Sequence, residues 1–469
     1  MATIVHASST RSSAPARDLI DDWIRTGDGS LDGGGFLNRS SAQLNRPSYS
    51  RLLAQNPDFR FLWFGQIVSL MGDWFNLIAS ATLVAKLTHS GIAVGGLFVV
   101  RMLAPFLISP VSGVAADRYD RKTLLILADL ARGVVVLGFL FVRDPADVWL
   151  LYTLTAVQLG ISGFFFPARN ALLPNIVGPQ DLGRANVLSS ATWSVMLAFG
   201  TALGGLVAGG LGVYKAFVID ALSFLLSAVL IARIQSGSKL DAVDGGRSVT
   251  AAFRQYVDGL QYLRKHLHIF AIVLHKAALT LTTSGALQVI QVALAERVFV
   301  IGQGGGISMG IMFAAVGVGT GVGPIVARRY TGDRGPQLCV AIGLSYLMIA
   351  VGLAIMANLS SFAATLTGIF LRGIGGGIIW VFSSQLLMKL VPDQIRGRVF
   401  ASEFALFTLM GAISAAISGW SIDAPGLGLT HTLWLMTGLC LIPGFLWSAY
   451  IMKAKGPSCL SDEGESANE

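Results

Sequence analysis

Apolar residues in this chain run on in blocks long enough to cross a bilayer. Twelve such blocks lie at about residues 60–86, 92–112, 123–142, 148–168, 189–209, 213–233, 269–295, 307–327, 337–357, 361–388, 400–421 and 431–452. An apolar helix of about 20 residues spans the hydrocarbon core while satisfying its own backbone groups. The polar segments between blocks are short except at 234–268, which divides the spans six and six. Within that stretch Phe253, Tyr256, Val257, Leu260, Leu263 and Leu267 share one helical face, and Arg254, Asp258, Arg264 and Lys265 spread elsewhere. This pattern predicts an amphipathic helix lying in the interface and leading into span seven.

Composition agrees. The 469 residues are 53% hydrophobic and 13% charged, where a soluble domain carries about 25% charged residues. The net charge of +8 suggests the membrane surface as partner and no nucleic acid, because the basic residues flank apolar spans. Counted over those flanks, Lys86, Arg143, Lys215 and Arg297 fall on one side and the many other lysines and arginines on the opposite side. The positive-inside rule then places both termini in the cytoplasm. The expected organisation is a cytoplasmic, disordered extension over 1–54, a six-helix bundle over 55–233, a central loop over 234–268, a second bundle over 269–452 and an acidic disordered tail over 453–469. The expected location is the inner or plasma membrane. A plastid envelope is the alternative, opposed by the acidic residues Asp18, Asp21, Asp22, Asp28 and Asp32. Cys339, Cys440 and Cys459 have no paired spacing, so neither a disulfide framework nor a metal site is implied. No cofactor motif, nucleophile elbow or phosphate loop is present, and an enzyme is not expected.

Charges within the spans are costly, about 2.5–3.5 kcal/mol each on insertion scales, and are therefore candidates for function. Asp73 lies about 20 Å into span one and Arg101 about 14 Å from the far end of span two, at about 1.5 Å per residue. In a core about 30 Å thick these depths nearly coincide, and the two are expected to pair, either as a proton-coupling site or as a fixed tie between helices. Asp129 and Arg132, three apart on span three, face one side and are expected to reach toward cytoplasmic water, with proton coupling as the functional reading. Asp220 in span six and Arg372 in span ten are candidates for a substrate cavity. Arg372 precedes Gly373, Gly375, Gly376 and Gly377, which suits either an anionic substrate or a close helix crossing. His275 and Lys276, early in span seven, are expected to snorkel.

Residues 113–122 read Gly-Val-Ala-Ala-Asp-Arg-Tyr-Asp-Arg-Lys. The pattern G-x-x-x-D-R-x-x-R-K resembles the signature between the second and third helices of the major facilitator superfamily of secondary transporters. The repeated Gly-Arg at 183–184 and 397–398 accords with two related halves; Gly323 to Arg329 resembles the charged turn without its Asp. The resemblance implies an all-α membrane protein of twelve transmembrane helices in two pseudo-symmetric six-helix bundles, working by alternating access. It implies that Gly113, Asp117, Arg118, Arg121 and Lys122, with Glu403, form a conformational latch in which Asp117 meets the start of span eleven in the outward-facing state. Gly200, Gly204 and Gly205 in span five resemble an antiporter motif whose proline is here Thr201. Further stretches, among them Pro167 to Pro174 and Arg396 to Phe400, resemble the branch of drug and siderophore exporters that includes macrolide and enterobactin transporters. That branch implies proton-driven efflux of an amphiphilic or chelating small molecule by a monomer. An uptake symporter and a lysophospholipid flippase share the fold. A non-transporting scaffold is a more distant reading, opposed by the mid-membrane charges.

Overall fold

The computed structural model describes residues 49–235 and 249–453. Residues 1–48 of the expected extension over 1–54, residues 236–248 of the central loop and residues 454–469 of the expected tail lie outside the described residues; the end of the extension forms the helix Tyr49–Gln55. Among the described residues twelve helices are long and apolar enough to cross a membrane: Pro57–Thr88, Gly91–Ser109, Arg121–Phe141, Pro145–Ile176, Gln180–Leu211, Val213–Ala232, Leu267–Arg297, Gln303–Thr331, Gly335–Ala357, Phe362–Leu390, Asp393–Asp423 and Gly428–Met452. Capping side chains fix where several of them begin. Asn56 accepts from the Phe59 amide ahead of span one, Ser90 from Ala93 ahead of span two and Ser361 from Ala364 ahead of span ten, satisfying amides that the helix leaves free.

The packing is two-fold. Spans three and six, two and four, three and four, and one and five pack together in the first bundle; nine and twelve, eight and ten, nine and ten, and seven and eleven do so in the second. Adding six to each member of the first set yields the second. The two large contacts between bundles, two with eleven and five with eight, exchange under the same rule. Such repeats are a construction principle of secondary transporters.

Both inter-bundle contacts depend on small residues. A Cβ on Gly205 would lie 2.7 Å from the Gly306 carbonyl oxygen, and one on Gly310 would lie 2.6 Å from the Gly205 Cα. Between spans two and eleven, a Cβ on Gly91 would lie 2.7 Å from the Gly419 carbonyl oxygen, and one on Gly95 at the same distance from that of Ala415. These crossings lie toward the face opposite the charged turn. Span seven bridges at the same face: Gly285–Arg297 packs on spans eight and eleven of its own bundle and also reaches spans one and two, and Leu267–Leu279 packs on spans ten, eleven and twelve of its own bundle. The bundles are thus sealed at the face away from the charged turn. No packing of comparable extent joins spans four and five to spans ten and eleven among the described residues.

The amphipathic helix forms over Val249–Lys265. It docks on the start of span eleven as well as presenting the exposed Val257 and Leu260. Gly259 allows the approach, since a Cβ there would lie 2.4 Å from the Arg398 carbonyl oxygen, and Asp258 pairs with Arg398 at 3.3 Å.

Overpacking such a helix crossing costs about 1–3 kcal/mol, so Gly205→Val is expected to disfavour the sealed arrangement. With cysteines placed at 89 and 296, disulfide yield should drop in Gly205→Val membranes; an unchanged yield would show that this glycine contact does not hold the seal.

Candidate functional site

Span one carries Ser69, Asp73 and Asn76 at helical spacing, so all three face the same neighbours. Span three brings Asp129 and Arg132 against them. The Arg132 guanidinium donates to Asp129, to the Ser69 hydroxyl at 3.0 Å and to Asp73 at 3.4 Å. The Phe224 ring lies 4.2 Å and the Phe165 ring 5.0 Å from its central carbon, and such cation–π contacts add to its retention in an apolar setting. The side chains of Asp129 and Arg132 are 0% and 2% exposed, whereas that of Asp73 is 26% exposed. This corrects two expectations. The Asp129–Arg132 pair is a buried tie, not one reaching for water, because Ser69 and Asp73 accept from the guanidinium inside the bundle. Asp73 takes Arg132 of span three, not Arg101, as its ion-pair partner; Arg101 contributes its charge to the field around Asp73 and Asp220.

Asp220 belongs to this same cluster, away from Arg372. It is fully buried on span six, beside Gly72 of span one, where a Cβ would come within 2.3 Å of an Asp220 carboxyl oxygen. Gly72 is what lets span six place a carboxyl against the Asp73 turn.

The second bundle holds a separate pair. Lys276 donates to Glu403 at 2.9 Å and to Ser384 at 2.7 Å, with the Trp380 ring 4.7 Å away. Lys276 is 5% exposed, so it does not snorkel: Glu403 on span eleven supplies a counter-charge at its own depth. Arg372, also buried, donates to Thr283 at 3.1 Å and to Ser284, hydroxyls on the wide π turn Thr280–Ser284 of span seven. Among the described residues no carboxylate forms an ion pair with it. The glycines after it serve crossings: a Cβ on Gly375 would lie 2.7 Å from the Ser345 carbonyl oxygen of span nine, and one on Gly377 2.4 Å from that of Thr320 of span eight.

Of the charged turn, Gly113, Asp117 and Arg118 lie on the helix Gly91–Arg118, and their side chains are outside what is described. Arg121 donates to the Ala171 carbonyl at 3.1 Å and Lys122 to the Ile234 carbonyl at 2.8 Å. These cations sit at the C-terminal ends of spans four and six, where free carbonyls and the helix dipole favour positive charge. Asp120, which no sequence argument singled out, caps span three through the Thr123 amide. In the second bundle the acid absent after Gly323 is replaced by Asp333, which accepts from Gln385 at 2.8 Å and Arg328 at 3.0 Å. The Gln385 amide and the Arg328 guanidinium hold its carboxyl below the usual carboxylate range. A carboxylate with a lowered folded pKa keeps its tether above its unfolded pKa and loses it as pH falls through the folded value, so this turn is set throughout the neutral range.

In span five a Cβ on Gly200 would lie 2.7 Å from the Trp74 ring and one on Gly204 3.2 Å from the Trp74 carbonyl oxygen, so both serve the crossing with span one, as Gly205 serves that with span eight. Thr201, where the motif has proline, donates to the Leu197 carbonyl at 2.6 Å and keeps the helix continuous.

Sequence reasoning missed a clasp at the sealed face. Asp423, ending span eleven, accepts from the Ser90 hydroxyl at 2.8 Å and from the Gly91 and Ile92 amides at 2.9 Å each, capping span two of the other bundle. Arg297 donates to the His89 carbonyl at 2.6 Å and to Asp423 at 3.4 Å, and His89 meets Glu296 at 2.6 Å. These residues sit at span ends, where charge is ordinary. The available signal was that Glu296-Arg297, His89 and Asp423 all fall on one membrane face.

The Major Facilitator Superfamily model matches residues 62–415. A putative bacilysin exporter, BacE of Bacillus subtilis, is 26% identical over 362 residues, covering 77% of this chain and 88% of its own length. The enterobactin exporter EntS of Salmonella typhi is 25% identical over 393 residues, covering 82% and 89%. Among solved structures, a bacterial homologue of the iron transporter ferroportin in an inward-facing state superposes with a TM-score of 0.64 at 14% identity, over 84% of this chain and 98% of that one. The family match over most of the spans, on a two-fold twelve-helix fold with ion pairs buried in each half, makes this chain a multi-pass membrane transporter of the major facilitator superfamily.

Proposed function

We propose that the protein exports an amphiphilic or chelating small molecule in exchange for protons. The positive-inside distribution assigns the face bearing the charged turn to the cytoplasm. On that assignment the sealed face is external, and the conformation described opens inward, ready to load substrate from the cytoplasm. The observation that carries proton coupling is the Asp73–Arg132–Asp129 chain: the outermost carboxyl is accessible and its partners are buried. Protonating Asp73 would cancel its attraction to Arg132 and alter the balance between conformations, which is all a coupling ion needs to do. The exporter names of BacE and EntS favour outward transport over symport. The latch reading for Asp117 and its neighbours stands beside this: Glu403, its expected neighbour on span eleven, holds Lys276 in the inward-open state.

Arg372 favours an anionic substrate group, since a buried guanidinium held by two hydroxyls retains an unneutralised charge. The same feature keeps lysophospholipid translocation as a second reading.

In everted vesicles with an acidic lumen, enterobactin or bacilysin should accumulate with the wild type and not with Asp73→Asn. Uptake by Asp73→Asn at the wild-type rate and pH dependence would exclude the coupling role. Asp129→Asn should behave differently: breaking a buried pair costs about 3–5 kcal/mol, so the loss should appear as reduced folded protein in the membrane. For Arg372, Arg372→Gln should abolish transport of anionic compounds and Arg372→Lys should retain part of it. Phospholipid flipping in reconstituted vesicles that matches export, with the same dependence on Arg372, would select the second reading.

A further inference from the structure

Within the cluster around Arg132 the charges do not balance. Asp73, Asp129 and Asp220 face Arg101 and Arg132, three carboxyls against two guanidiniums. Arg132 is committed to Asp129 and Asp73 by hydrogen bonds, and Asp220 receives none from it. Both its oxygens are buried without a hydrogen-bond partner, and the residue is fully buried where Asp73 is partly exposed. An isolated carboxylate in such a place is expensive, and a group so placed is neutralised instead.

We infer that Asp220 is a proton-binding site, occupied in the inward-open state and forming the inner end of a relay that begins at Asp73. The inference rests on the proton-coupled reading above and adds to it the residue that keeps the proton. The groups facing Asp220 come from three elements. Span one presents Asp73 and Asn76 around Gly72, span two presents Arg101 and span three presents Arg132; on span six itself Ser223 donates to the Asp220 backbone carbonyl at 2.7 Å. Asn76 fits the protonated form. Its amide nitrogen and oxygen are likewise buried and unpartnered and lie beside Asp220. A carboxylic acid can donate to an amide oxygen while accepting from the amide nitrogen, whereas a carboxylate can only accept. The transfer balances simply: the proton leaves the Asp73 carboxyl, restoring the attraction of Asp73 to Arg132, and arrives on Asp220, converting a buried carboxylate into a neutral acid. No other reactant takes part.

Infrared difference spectroscopy of the purified transporter at neutral pH, without substrate, reads this directly. A carbonyl band of a protonated carboxyl is expected in the wild type. It should persist in Asp73→Asn, vanish in Asp220→Asn and shift in Asp220→Glu, the variant that retains an acid should the amide fail to fold. Absence of the band from the wild type, or its survival unshifted in both Asp220 variants, would overturn the assignment. Because the band is read without transport, a protein that shows it and yet moves substrate independently of pH would refute the coupling reading and keep the proton site. Transport driven by a pH gradient with no such band would do the reverse.

Discussion

A guanidinium at mid-membrane must find acceptors for its N–H groups, and the first bundle is arranged around that requirement. Arg132 draws on Asp129 of its own helix and on Asp73 and Ser69 of span one, with aromatic faces from spans four and six covering what remains. Four helices are thereby tied to one side chain. A buried ion pair is a poor source of stability, because desolvation offsets its attraction. Its use here is positional: the partners are held at one depth, and only Asp73 is left accessible. An arrangement that would be an unrewarding way to hold helices together is well suited to respond when one of its members gains a proton.

The second constraint is close approach. A bilayer supplies little hydrophobic drive between helices, so van der Waals contact and polar ties decide how bundles meet. Glycines at the crossings of spans two with eleven and five with eight bring backbones together, and a clasp built on Asp423 and Arg297 fastens the same face. Every member of that clasp also has another choice, namely water, once the bundles part. Such exposed polar contacts contribute little net free energy. A seal made of them, over a glycine-lined crossing, is one that opening does not have to overcome at great cost.

The two bundles differ in chemistry despite their shared packing. The first gathers Asp73, Asp129 and Asp220 around Arg101 and Arg132, and the second holds the pair Lys276–Glu403 and Arg372, which donates to hydroxyls.

The twelve spans, the six-plus-six division and the basic turn were all legible in the chain, because each depends on local quantities: the length of an apolar block, the spacing of a loop, the sum of charge on one side. Asp73, Asp129, Arg132, Asp220 and Arg372 stood out for the same reason, as charges where charge is costly. Their partners did not. Depth along a helix can be counted from a sequence, which made Arg101 look like the mate of Asp73, but the rotation of each helix about its axis and the choice of neighbours are set by packing. Only the assembled fold brings Arg132 to Asp73, Lys276 to Glu403 and Asp423 to the start of span two, since those contacts join residues separated by 59, 127 and 332 positions, and nothing local to either member specifies the other.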